Sequence, residues 1–211
     1  VTEPAQRRVF FALWPPEQTL QALDALADDA ASRCAGRRVR RDSLHMTLAF
    51  IGAVSPPQLA ALRDIAGKVR GEVFDLEVDR ISCWPHNRIV WAGCSRVPSR
   101  QRRLSDTLGS ALEQAGFVLD KRPSTPHVTL ARKARCDNLP ELAQAIPWRV
   151  GDFVLVESSL LSSGANYRVL DRWPLQTATD KKKSQKGVDG TFRLAIISVF
   201  PRCTSGRSLT N

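Results

Sequence analysis

Apolar positions along this chain follow two different periods. Val9, Phe10, Phe11, Ala12 and Leu13 form a continuous apolar run that ends at Trp14-Pro15-Pro16. That pattern predicts a buried strand followed by a break. Leu20, Leu23, Leu26, Ala27 and Ala30 then recur three and four apart, which predicts an amphipathic helix opening near a proline. Residues 37–41 form a basic connection, and 44–51 read as a strand closed by Gly52. The succession repeats after Pro56-Pro57. Leu59, Leu62, Ile65, Ala66 and Val69 mark a helix face, and strands follow over 73–81 and 89–92. Trp84-Pro85-His86-Asn87 is a turn between them, with His86 a solvated turn residue. A third helix carries Leu104, Leu108, Ala111 and Leu112 and stops at Gly116. After the Pro-rich 122–126 the reading is a strand over 127–132, a short helix over 138–146, and closing strands over 149–156 and 167–173.

The chain also contains an echo of itself. His45-Met-Thr-Leu-Ala-Phe aligns with His127-Val-Thr-Leu-Ala-Arg, and a helix precedes each copy. Two copies at so long a period exclude a solenoid and predict a duplicated, two-lobed unit. Residues 1–176 are expected to form that domain and 177–211 a flexible basic tail.

The formal net charge is +10, of which 177–211 contribute +5 and 1–176 the other +5. The body is therefore basic in its own right, which suits a phosphate-rich partner. No apolar run approaches the roughly 20 residues of a membrane span, and the polar residues 1–8 carry no secretory-leader pattern. The five cysteines (Cys34, Cys83, Cys94, Cys136, Cys203) lack C-x-x-C spacing. They are expected to be free thiols, buried or half-buried, in a reducing cytosol.

The repeated His-x-Thr carries the chemistry. Side chains at i and i+2 of a strand share a face, so His45 projects with Thr47 and His127 with Thr129. Facing each other across a cleft, two imidazoles and two hydroxyls suit a cyclic phosphodiester. One imidazole can take a proton from water while the other protonates the leaving ribose oxygen. The hydroxyls can bind the non-bridging oxygens. Arg132 lies an odd number of residues after His127, off its face in an unbroken strand, yet it can reach a phosphate from the strand end. No Asp, Glu or Cys stands at a ligand-like spacing beside either histidine, so neither a metal nor a cofactor is expected. Trp84 and Trp91 are expected to pack the core or the rim, and the 37–41 arginines to be mainly solvated.

These residues resemble the two-histidine (2H) phosphoesterase superfamily, in particular its LigT/ThpR branch, once called 2'-5' RNA ligases. The matching stretches are Arg8-Val-Phe-Phe-Ala-Leu, Leu44-His-Met-Thr-Leu-Ala-Phe-Ile-Gly, Arg122-Pro-Ser-Thr-Pro-His-Val-Thr-Leu-Ala-Arg and Leu160-Leu-Ser-Ser-Gly-Ala-Asn-Tyr-Arg-Val-Leu. The resemblance implies a bilobal α+β fold, with antiparallel sheets and outer helices around a central cleft. It also implies hydrolysis of an RNA 2',3'-cyclic phosphate end, as on tRNA fragments, to a 2'-phosphomonoester. By the same analogy His45 is the proton donor, His127 the proton acceptor, and Thr47, Thr129 and Arg132 contact phosphate. A cytoplasmic monomer is expected. ATP-independent 2'-5' ligation at the same site and non-catalytic binding of RNA ends are the alternatives.

Overall fold

The computed structural model describes residues 6–120, 125–161 and 164–177. The expected tail beyond 177 and Cys203 lie outside them. Ten strands and three α-helices follow one another as β1 (Arg7–Leu13), α1 (Glu17–Arg33), β2 (Arg37–Arg38), β3 (Met46–Val54), α2 (Pro56–Lys68), β4 (Phe74–Val78), β5 (Arg80–Trp84), β6 (Ile89–Gly93), α3 (Ser99–Gln114), β7 (His127–Arg132), β8 (Ile146–Val150), β9 (Asp152–Leu161) and β10 (Gly164–Pro174). A short 3₁₀ turn at Arg41–Ser43 precedes β3.

Local chemistry sets the ends of these elements. Pro16 stands at the N-cap of α1, outside the helix, where its missing N–H costs nothing. Ser55 caps α2 in a reciprocal box with Gln58, and Pro56 follows at the first helical position. The turn after α3 needs Gly116, whose φ is +86°. Its N–H reaches back to the Glu113 carbonyl, and that of Phe117 to Leu112.

All paired strands in the two sheets run antiparallel. The larger sheet has the order β10-β9-β1-β3-β7-β6-β5, with β2 added alongside β7, and the smaller pairs β4 with β8. The α+β reading therefore holds. Two continuous strands expected from the sequence are each split in two. Asp79 forms one corner, its carboxylate accepting from the Ser95 N–H and hydroxyl, and Gly151 separates β8 from β9.

The core lies between the large sheet and the helices. Val9, Phe11 and Leu13 from β1, Met46 from β3 and Val128 and Leu130 from β7 pack with Leu23, Leu62, Leu104, Leu108 and Leu112 from the helices. The other face of β1 is buried too, because Phe10 and Ala12 pack with Val154 and Val156. Burial on both faces explains why β1 reads as an unbroken apolar run.

Two expectations fail. Residues 138–146 form no helix. Pro140 interrupts the segment, and its flanks are held in irregular backbone, the Arg135 N–H on the Cys34 carbonyl and the Cys34 thiol on the Asn138 carbonyl. The cysteines are not all free thiols either. Cys34 and Cys94 are buried and free, but Cys83 and Cys136 form a disulfide across 53 residues of sequence. Spacing in sequence cannot reveal such a pair, because the fold brings the two together.

Replacing both bridged cysteines by serine is expected to cost about 2–4 kcal/mol for a loop of this length, read as a lower urea midpoint. Superimposable unfolding curves with and without reductant would contradict the bridge.

Candidate active site

The large sheet narrows where β3 meets β7, and one residue pair, Met46 opposite Val128, joins the two strands. On an antiparallel ladder that register sets His45 across from Thr129, and Thr47 across from His127. Met46 and Val128 point into the core and are fully buried. Behind Met46, the buried Gln101 of α3 donates from its amide to the methionine sulfur at 3.2 Å. The four polar side chains take the opposite face. His45, Thr47, His127, Thr129 and Arg132 all line one cavity of about 250 Å³, together with Phe10, Phe50, Ile89, Ser158 and Tyr167.

Arg132 arrives by a route that simple alternation does not allow. Trp91 pairs with Thr129 but Val90 pairs with Ala131, so Leu130 is an extra residue in β7. This β-bulge shifts the alternation by one position. Leu130 and Ala131 are both buried, and Arg132 returns to the face of His127. The first copy has the same irregularity at the same place. Ala12 pairs with Thr47 and Phe11 with Ala49, which leaves Leu48 as the extra residue. Phe50 then stands where Arg132 stands in the second copy, and is 46% exposed.

The segment after Arg132 is clamped to the β5–β6 hairpin. The Arg88 guanidinium donates to the Lys133 and Ala134 carbonyls, the Ala134 N–H returns a bond to the Arg88 carbonyl, and the disulfide adds a covalent link. These ties fix the strand end from which the guanidinium projects.

Both imidazoles are held in the same way. His45 Nδ1 lies 2.7 Å from the Ser43 carbonyl, and His127 Nδ1 lies 2.8 Å from that of Thr125. A carbonyl only accepts, so each Nδ1 carries the proton and Nε2 is left for chemistry. Aromatic rings enclose both histidines. Trp14 stacks on His45 with centroids 5.7 Å apart, while Phe10 and Tyr167 approach at 4.8 and 5.0 Å. Trp84 and Trp91 meet His127 edge-on at 4.5 and 6.1 Å.

This enclosure controls proton affinity. Burial pushes His45 down to about 4, and the nearby Arg132 and His127 act the same way against the raising effect of the Ser43 carbonyl. His127 is lowered as well, first by burial, with Arg132 adding to it against the Thr125 carbonyl. Both rings are therefore neutral at pH 7 when nothing is bound. Among the described residues, no three His, Cys, Asp or Glu side chains gather where they could hold a metal ion.

Sequence reasoning names the polar set but not its walls. Phe10 is hidden within an apolar run. Tyr167, the only tyrosine in the chain, is a signal that could have been read. The two carbonyls have no sequence signature. Beside His127, Trp91 is buried and Trp84 half-buried, in line with the core-or-rim expectation, and His86 lies in an exposed turn.

The family model described as LigT like Phosphoesterase matches residues 13–91. The RNA 2',3'-cyclic phosphodiesterase of Escherichia coli K12 is 33% identical, over 83% of this chain and 99% of that one. A crystal structure of E. coli LigT complexed with 3'-AMP aligns with a TM-score of 0.75 at 32% identity, covering 82% of this chain and 99% of that one. A Thermus thermophilus crystal structure aligns with a TM-score of 0.72 at 25% identity, over 81% of this chain and 99% of its own. With the paired His-x-Thr strands at the seam of its sheet, this chain belongs to the LigT-like phosphoesterase family.

Proposed function

We propose that this protein hydrolyses the 2',3'-cyclic phosphate end of RNA to a 2'-phosphomonoester, without a metal. The observation that carries the reading is the convergence of two Nε2 atoms, two threonine hydroxyls and one guanidinium on a single cavity. The names of the relatives point to the same substrate class.

In this reading Thr47, Thr129 and Arg132 hold the non-bridging oxygens of the cyclic phosphate. His127 Nε2 takes a proton from water as the water oxygen bonds to phosphorus. The bond from phosphorus to the ribose 3'-oxygen breaks, and His45 delivers its proton to that oxygen. The products are a 2'-phosphate and a 3'-hydroxyl; the step leaves His45 neutral and His127 protonated, and proton exchange with solvent restores both for the next turnover. The anionic substrate itself helps to charge the acid. A negative charge beside His45 offsets both burial and Arg132, and so favours the imidazolium that acts as acid. Arg132 meanwhile stabilises charge as it builds on phosphorus oxygens.

His45→Ala and His127→Ala should each lose roughly 10²–10⁴-fold in kcat on an RNA ending in a 2',3'-cyclic phosphate. Chelator should leave the wild-type rate unchanged. Undiminished turnover in both variants would remove the reading. Arg132→Ala should lose about 10²–10³-fold, mainly in kcat; a change confined to KM would make it a binding group only.

The pH dependence follows from the lowered histidines. The acid must be protonated and the base neutral, so kcat/KM should be a bell with both limbs below the ordinary histidine value of 6.5. The kcat profile should lie at higher pH, because bound phosphate restores proton affinity. A kcat/KM limb above 6.5 would contradict the enclosure argument.

A further inference from the structure

The basic run at 37–41 is sorted by the fold into bound and unbound members. Arg38 pairs with Asp24 and Asp28 of α1, Arg40 with Asp42, and Arg41 with Glu17 and Asp24. Arg37 takes none of these carboxylates. It stands directly opposite Arg132 in the β2–β7 pairing. Direct cross-strand partners project on one face, with Cβ atoms about 5 Å apart, and like charges placed so repel. Among the described residues, neither Arg37 nor Arg132 forms an ion pair with a carboxylate.

The close pairing depends on a glycine. A Cβ at Gly36 would lie 2.8 Å from the Ala134 Cβ and 3.2 Å from the Arg132 carbonyl oxygen. Gly36 thus allows β2 to lie against the end of β7 and brings two cations together. Both line a cavity shared with Ser43, His45, Thr129 and Tyr167, and with the carboxylate-paired Arg38 and Arg40. Arg132 also lines the cavity that holds both histidines, whereas Arg37 does not. Arg37 therefore lies outward of the reacting centre, one strand further along the sheet.

We propose that Arg37 binds a second phosphate, the internucleotide diester on the 5' side of the terminal nucleoside, so that the preferred substrate is an oligonucleotide and not a mononucleotide. This rests on the phosphodiesterase reading above. A second anion relieves the repulsion between the two guanidiniums and makes a charge-assisted bond to Arg37. It explains why a protein with several carboxylates along α1 leaves this arginine unpaired.

The test compares adenosine 2',3'-cyclic phosphate, its 5'-phosphorylated form and the dinucleotide ApA ending in a 2',3'-cyclic phosphate. The wild type should favour the last two over the first by about tenfold in kcat/KM, through KM, and less so as salt rises. Arg37→Gln should bring that ratio towards unity, and Arg37→Lys should retain part of it. Three results overturn the site: an equal loss on all three substrates, no wild-type preference, or a preference for the dinucleotide that the 5'-phosphate alone does not reproduce. Binding of a dye-labelled ApA carrying a terminal 2'-phosphate, followed by fluorescence anisotropy, needs no turnover. Weaker binding in Arg37→Gln with no hydrolysis of any substrate would keep the site and remove the phosphodiesterase reading. Hydrolysis with Arg37-independent binding would do the reverse.

Discussion

One pairing, Met46 of β3 with Val128 of β7, governs the rest of the cleft. A single residue pair is a weak join between the two halves of a sheet, so its stability comes from behind. Both side chains are fully buried among the leucines of the helices. Because strand faces alternate, anchoring the middle residue of each His-x-Thr in the core forces its neighbours to the opposite side. The apolar residue between His and Thr is thus what aims the catalytic candidates. The duplicated bulges at Leu48 and Leu130 act one step later, turning the fifth residue after each histidine back to the same face.

The walls make two similar histidines different. Three rings surround His45 and two tryptophans flank His127, so burial weighs more heavily on His45. An aromatic-walled, cation-bearing cleft with neutral imidazoles is poor at holding protons and well suited to receiving an anion. Substrate charge then completes the acid. The same logic extends outward, where Arg37 and Arg132 stand side by side with no carboxylate partner among the described residues.

Much of this was legible in the sequence, for physical reasons. Period-two and period-3.6 patterns located the helices and most strands, because each element buries one defined face. The doubled motif identified His45, Thr47, His127 and Thr129, because a strand allows only two directions. Arg132 could be named but not placed, since a bulge leaves alternation intact on either side and shows itself only in pairing. The corners at Asp79 and Gly151 were missed because apolar residues resume at once on the far side, at Ile81 and at Phe153, so each short break reads as part of one strand. The helix expected over 138–146 had the right apolar spacing but contained Pro140. The Cys83–Cys136 bridge and the sorting of the arginines depend on contacts distant in sequence, beyond the reach of any local pattern.

The central claim is that water attacks a cyclic phosphate held between His45 and His127 and expels the 3'-oxygen. The most direct measurement is hydrolysis of an RNA 2',3'-cyclic phosphate end in ¹⁸O-water, followed by mass and end-group analysis of the product. The account predicts a 2'-phosphate carrying a single heavy oxygen beside a free 3'-hydroxyl. A 3'-phosphate, or a 2'-phosphate without the label, would contradict it.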